Sequence, residues 1–207
     1  MKRLLSLVLN IFIVWSVATA VGQMLFFRGE GNMQVSGLAA FRYFTVDSNI
    51  LVAIASAALI LRGGGGPKVK DPAGVIILKY MGTTAVTVTM VTILLFLGPT
   101  MGYEYMFTGI NLYLHLLVPL AAILSFVFFD GNRDLHPLCV VFSILPTFCY
   151  GAIYIWQVVY VGPENGGWRD FYGFNVNGNW RVPLAVMLAG TVGLGIMLLA
   201  GHNGRTK

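Results

Sequence analysis

The sequence predicts an all-α fold: a polytopic membrane protein whose six transmembrane helices form one bundle, a single domain over residues 1–207. Three observations carry this. Of the 207 residues, 57% are hydrophobic and only 10% charged, against roughly 25% charged in soluble domains. A soluble chain of this length needs more polar surface than that, and the mean hydropathy of +0.78 points the same way. Six apolar runs each reach the roughly 20 residues that cross a bilayer as a helix, and none shows the short alternating segments of a membrane barrel.

The runs are 4–27, 39–61, 75–98, 108–129, 138–161 and 182–200. The first, "MKRLLSLVLNIFIVWSVATA", has the basic start and small-residue Ala18-Thr19-Ala20 of a cleaved signal. Its apolar character continues through "VGQMLFF", so retention as a span is the expectation. The second opens on "RYFTVDSN", which sets Thr45, Asp47, Ser48 and Asn49 together at the head of an apolar run. The third carries Thr83, Thr84, Thr87, Thr89 and Thr92, hydroxyls suited to bonding the carbonyl one turn back. The fourth contains "NLYLHLLVP". The fifth holds both cysteines, Cys139 and Cys149, separated by about 15 Å of helix and so unable to bond to each other; they read as small buried hydrophobes. In the sixth, Ala185, Ala189 and Gly193 recur every four residues, which predicts a close-packing seam.

Between the runs, "GGGGPKVKDP" at 63–72 is a flexible basic linker that lacks the spacing of a phosphate loop. "DGNRDLHP" at 130–137 is a tight turn with His136 in solvent. The segment 162–180 carries Trp168, Phe171, Tyr172, Phe174 and Trp180, either interfacial anchors or a cover over a pocket.

The net charge of +5 is a topology signal. Nine basic residues (Lys2, Arg3, Arg62, Lys68, Lys70, Lys79, Arg133, Arg205, Lys207) fall on one side and four (Arg28, Arg42, Arg169, Arg181) on the other. The positive-inside rule places both termini in the cytoplasm, as an even number of spans requires. Lipid headgroups, not nucleic acid, are the counter-charges this implies, and the bacterial cell membrane is the expected location. Lys79, near a cytoplasmic end, is expected to snorkel.

Two ionisable residues stand out inside the spans, Asp47 and His115. From the predicted helix starts, His115 lies about 10 Å and Thr45 about 9 Å below the outer ends of their helices. Two separate helices thus bring a hydroxyl and an imidazole to matching depth. Thr45, Ser48 and Asn49 share one helical face, and Asp47 points elsewhere. Asn111 is one turn before His115 and Pro119 one turn after, and the proline removes the amide that would bond the His115 carbonyl. These residue types permit nucleophilic catalysis. Thr45 is the hydroxyl, His115 the base, Asp47 or Asn111 an orienting group, and Ser48 and Asn49 candidate oxyanion donors. Interhelix hydrogen bonding or helix capping explains the same residues without chemistry. One intramembrane histidine supplies too few ligands for zinc, and no metal or organic cofactor is implied.

"FRYFTVDSNIL" followed by "LHLLVPL" resembles the androgen-induced membrane protein family and its bacterial relatives, small multi-pass proteins with "YFT-x-x-SN" opening helix 2 and "H-x-x-x-P" in helix 4. The animal members are threonine hydrolases that cleave esters between fatty acids and hydroxy fatty acids. The resemblance implies Thr45 as nucleophile and His115 as general base, with a membrane lipid as substrate. Asp47 stands where an uncharged or amide residue is common in that family, and "WRDFYGFNVNG" lacks its proline-rich tract. The expectation is an intramembrane hydrolase of a lipid ester. The alternative is a non-catalytic scaffold or small-solute transporter built around the same polar cluster.

Overall fold

The computed structural model describes residues 1–26, 37–62 and 71–206. Arg28, Lys68, Lys70, Lys207 and most of the glycine-rich linker lie outside the described residues. Among the described residues every regular element is helical, and six helices are long and apolar enough to span a membrane. They are α1 (Lys2–Phe26), α2 (Phe44–Arg62), α3 (Ala73–Met101), α4 (Ile110–Phe129), α5 (Pro137–Val161) and α6 (Arg181–Thr206). The chain is a multi-pass integral membrane protein. We call the face opposite the termini the outer face.

Helix α1 buries Asn10, Ile13, Val17, Ala20 and Met24, one stripe at helical spacing, and leaves Leu4, Val8, Ile11 and Trp15 exposed. In a bilayer those exposed apolar side chains meet lipid. Helix α3 is the axis of the bundle, in contact with α2, α4, α5 and α6, while α1 packs on α2 and α4. Its most apolar window is 61% buried against 22% for α6.

Helices α2 and α3 approach closely because Gly82 has no side chain: a Cβ there would stand 2.7 Å from the Val52 Cα. Gly195 does the same for α6 against Ser143 and Tyr80. The predicted seam of Ala185, Ala189 and Gly193 is instead exposed. Among the described residues, no helix packs against that face of α6. Cys139 is buried but Cys149 is exposed, and both are free thiols.

Prolines shape α3 and α4 in the same way. Widened π-helical turns cover Ile93–Leu97 and Tyr113–Leu117, each ending two residues before a proline. Gly98 N–H donates to the Ile93 carbonyl and Val118 N–H to the Tyr113 carbonyl, five residues back. Pro99 and Pro119 have no N–H to continue the ladder, so the helix widens just before each one. The Tyr103 hydroxyl donates to the Leu94 carbonyl at 2.8 Å within the first of these turns. The second encloses His115, where Pro119 leaves the backbone loosened.

Helix α2 begins at Phe44, not near residue 39, because Gly37–Arg42 forms a separate tight 3-10 turn. Thr45 is therefore in the first turn of α2 rather than two turns down. Its depth comes from the register with α3. The Ser48 and Thr89 hydroxyls meet at 3.0 Å near the outer end, and Lys79 Nζ donates to Ser56 at 2.8 Å near the inner end. In this antiparallel register Phe44 sits level with the Ile93 region, and α3 continues about eight residues, roughly 12 Å, beyond it. The space above the recessed start of α2 is filled by the segment after α5. Trp168, Phe171, Tyr172, Phe174 and Trp180 pack inward on Phe44, Val88, Tyr150, Tyr154 and Val158. The aromatic segment is thus a cover over the outer half of the bundle.

Candidate active site

Thr45 is buried, 6% exposed, and its hydroxyl makes no hydrogen bond among the described residues. His115 is also buried, in the widened turn of α4. Asn49 fixes the relation between their helices. Its side-chain amide donates to the Thr45 carbonyl at 2.7 Å and to the Leu114 carbonyl at 3.1 Å. The two carbonyls can be no further apart than those distances together. Because α2 and α4 run in the same direction, Thr45 and the Leu114–His115 peptide lie at one level. No hydrogen bond joins Thr45 to His115 among the described residues.

His115 Nδ1 lies 2.8 Å from the Met106 carbonyl. A carbonyl only accepts, so in the neutral ring Nδ1 carries the hydrogen and Nε2 holds the lone pair. The imidazole is oriented by this main-chain oxygen rather than by Asp47 or Asn111. Asn111 donates to the Tyr105 carbonyl at 3.2 Å, so it and His115 both hold the short turn Tyr103–Met106. Asp47 is half-buried on the other face of α2, within electrostatic reach of Tyr150 and Tyr172. Ser48 donates to the Thr45 carbonyl at 3.2 Å and meets Thr89. Both hydrogens of the Asn49 amide are engaged, which leaves none for an oxyanion.

Tyr172 completes the surroundings of α2's first turn: its hydroxyl accepts from Phe44 N–H at 3.1 Å. The cover is tied down by Asp170, which accepts from the Tyr154 hydroxyl at 2.8 Å and from Phe174 and Asn175 N–H at 2.9 and 2.8 Å. Burial raises the pKa of Tyr43 and of Tyr172 above the usual tyrosine value, so both remain neutral hydroxyls.

A cavity of about 560 Å³ opens beside this turn. Its walls are the outer part of α3 from Val88 to Leu97, the facing part of α6 from Val182 to Leu194, Tyr150 of α5, and Tyr172 and Phe174 of the cover. Phe44 and Thr45 close its inner wall, whereas His115 does not line it. Among the threonines of α3, Thr84, Thr87 and Thr89 bond the carbonyl four residues back, and Thr89 and Thr92 also face the cavity.

A second polar cluster lies at the opposite end and was not read from the sequence. Lys79 does not snorkel. It is fully buried, 3.6 Å from the equally buried Asp130 carboxylate. Its ammonium donates to Asn10 Oδ1 and Ser56 Oγ at 2.8 Å each. Asp130 Oδ1 accepts from Ser6 at 2.6 Å and Asn10 at 2.8 Å, while Oδ2 has no hydrogen bond. His202 is buried beside it, its ring nitrogens 2.9 and 3.1 Å from the Phe126 and Arg133 carbonyls. The signal available was one lysine and one aspartate, each near a helix end on the side of the termini. His202 fell beyond the run at 182–200 because α6 continues through the polar "GHNGRT". Among the described residues no group of His, Cys, Asp and Glu could hold a metal ion. No protein-family model, curated protein or solved structure matches this chain.

Proposed function

We propose that the protein is an intramembrane threonine hydrolase that cleaves a lipid ester, acting in the cell membrane of a bacterium. The observation that carries the reading is Thr45 itself: an unbonded hydroxyl on the wall of an apolar cavity, level with a histidine whose Nε2 lone pair is free. The resemblance of "YFTVDSN" and "LHLLVP" to the androgen-induced family assigns the same two residues the same roles. In the proposed reaction the Thr45 hydroxyl attacks the ester carbonyl and His115 Nε2 takes its proton. The alcohol leaves with a proton returned from His115, and a water then hydrolyses the threonyl ester. Thr45's position in the first turn of α2 puts the developing oxyanion at the positive end of the helix dipole. Thr45 sits level with Thr92, partway along the cavity, which suits an ester partway along an acyl chain, as the family's substrates have. The Thr45–His115 bond must form on substrate binding, as catalytic hydrogen bonds often do.

A second reading is favoured by one observation, that the cavity touches Thr45 but not His115. In it the protein is a non-catalytic membrane scaffold or small-solute transporter, and His115 only fastens the turn at Met106. A fluorophosphonate probe applied to purified wild type, Thr45→Ala and His115→Ala decides between them. Adducts mapped to Thr45 by mass spectrometry, and dependent on His115, are expected from a hydrolase. Full ester turnover by Thr45→Ala would remove the catalytic assignment. No labelling and no turnover in folded wild type would leave the second reading.

A further inference from the structure

We infer that the cavity is an acyl-chain site with a lateral opening between α3 and α6, occupied by one chain of a lipid drawn from the outer-face leaflet. The inference goes beyond the proposed reaction, because it needs the cavity and not the chemistry of Thr45.

The opening faces hydrocarbon. Leu95 and Phe96 on α3 and Val182 and Val186 on α6 all line the cavity, yet they are 65, 58, 57 and 59% exposed. Large apolar side chains exposed on membrane helices contact lipid, so the rim belongs to both the cavity and the bilayer. Tyr172 and Phe174 of the cover line its top, and Phe44 and Thr45 line the side toward the bundle. That exposed apolar rim between α3 and α6 is the entry for an occupant.

The dimensions fit one chain. Along α3 the wall from Val88 to Leu97 measures roughly 14 Å. That is about half of the ~30 Å hydrocarbon core, or one leaflet. The volume of about 560 Å³ lies within the ~300–1,000 Å³ range of small-ligand sites, which suits a single chain rather than a whole two-chain lipid. No charged residue is among those lining it; the polar groups are threonine and tyrosine hydroxyls. An ion or a sugar would find too few partners to replace its hydration. The α6 wall also has slack, since a Cβ on Gly190 would meet nothing within 4 Å.

The test uses the full chain purified into lipid nanodiscs and palmitate carrying a mid-chain diazirine. After photolysis, mass spectrometry should map adducts to residues 88–97 and 182–194, and excess unlabelled palmitate should suppress them. Gly190→Phe projects from the cavity wall and narrows it, and should cut labelling about tenfold, because the chain loses part of the apolar burial that draws it in. Gly193→Phe is equally uncrowded but off the cavity wall, and should label as wild type does. Adducts scattered over other lipid-facing residues such as Trp15, without competition, would overturn the inference even if a variant failed to fold. So would unchanged labelling in folded Gly190→Phe. His115→Ala, which lies off the cavity wall, should keep the labelling while any ester turnover is lost, so loss of the reaction and loss of the site are read separately.

Discussion

Replacing Lys79 with methionine tests whether the buried pair at the end that carries the termini holds the bundle together. The substitution keeps most of the side-chain volume and removes the ammonium. It deletes the hydrogen bonds to Asn10 and Ser56 and the partner of Asp130. Asp130 is left as a fully buried carboxylate with both donors on Oδ1 and nothing on Oδ2. Removing one member of a buried ion pair costs about 3–5 kcal/mol, since the remaining charge is uncompensated. At about 2–4 °C per kcal/mol for a chain of this size, the unfolding midpoint should fall by roughly 6–20 °C. Asp130→Asn should fall similarly, because it strands the ammonium. The double variant buries no charge and should lose about as much as one single variant rather than the sum of the two, a coupling of at least about 3 kcal/mol. Thermal unfolding in detergent, followed by tryptophan fluorescence, measures all four proteins. The reasoning is refuted if the double variant loses the sum of the two single losses. It is also refuted if Lys79→Met melts within about 2 °C of wild type.

Two further predictions concern the outer half and the helix contacts. Gly82→Ala should cost about 1–3 kcal/mol, because its Cβ would strike Val52 main chain that yields only if α2 moves. Gly74→Ala, where a Cβ meets nothing within 4 Å, is the neutral control in the same melt. Asp170→Asn turns one carboxylate oxygen into a donor among three donors and should cost about 1–3 kcal/mol. Hydrogen exchange should then rise across 168–175 while the Lys79 region stays protected; uniform exchange across both would count against Asp170 as the tie of the cover.

The six spans were legible because hydropathy over about 20 residues depends on composition alone. Ends were not. The start of α2 moved from 39 to Phe44 because nothing in "GLAAFRY" marks the tight turn before it. The matched depth of Thr45 and His115 was read from two helix starts, and the structure supplies a different cause: α3 overshoots α2, and Asn49 clips Thr45 to Leu114. Neither cause has a local signature, since both depend on which helices are neighbours. The π-turn at His115 was half legible, because Pro119 announces a missing N–H but not how the backbone accommodates it. Lys79 was misread for a related reason. A lysine near a helix end snorkels if lipid or water is beside it, and pairs if the bundle closes around it; only packing distinguishes the two.

The two polar clusters divide the work of the bundle. At the end that carries the termini, α1, α2, α3 and Asp130 at the end of α4 are joined through side chains whose hydrogen bonds are made to one another, and α6 adds Arg205 on the Asp130 and Gly131 carbonyls. Such a network opposes relative motion, because every displacement exposes a buried charge to hydrocarbon. At the outer end the cavity wall between α3 and α6 is apolar, and apolar contacts are non-directional. They can part and re-form around a chain without stranding a polar group. The end where we propose that a lipid chain enters is thus the end with few directional bonds across its opening. Thr45 sits where these regimes meet: its carbonyl is fixed to α4 through Asn49, while its hydroxyl faces the apolar space. A nucleophile needs that combination, a main chain held in place and a side chain left unbonded until substrate arrives.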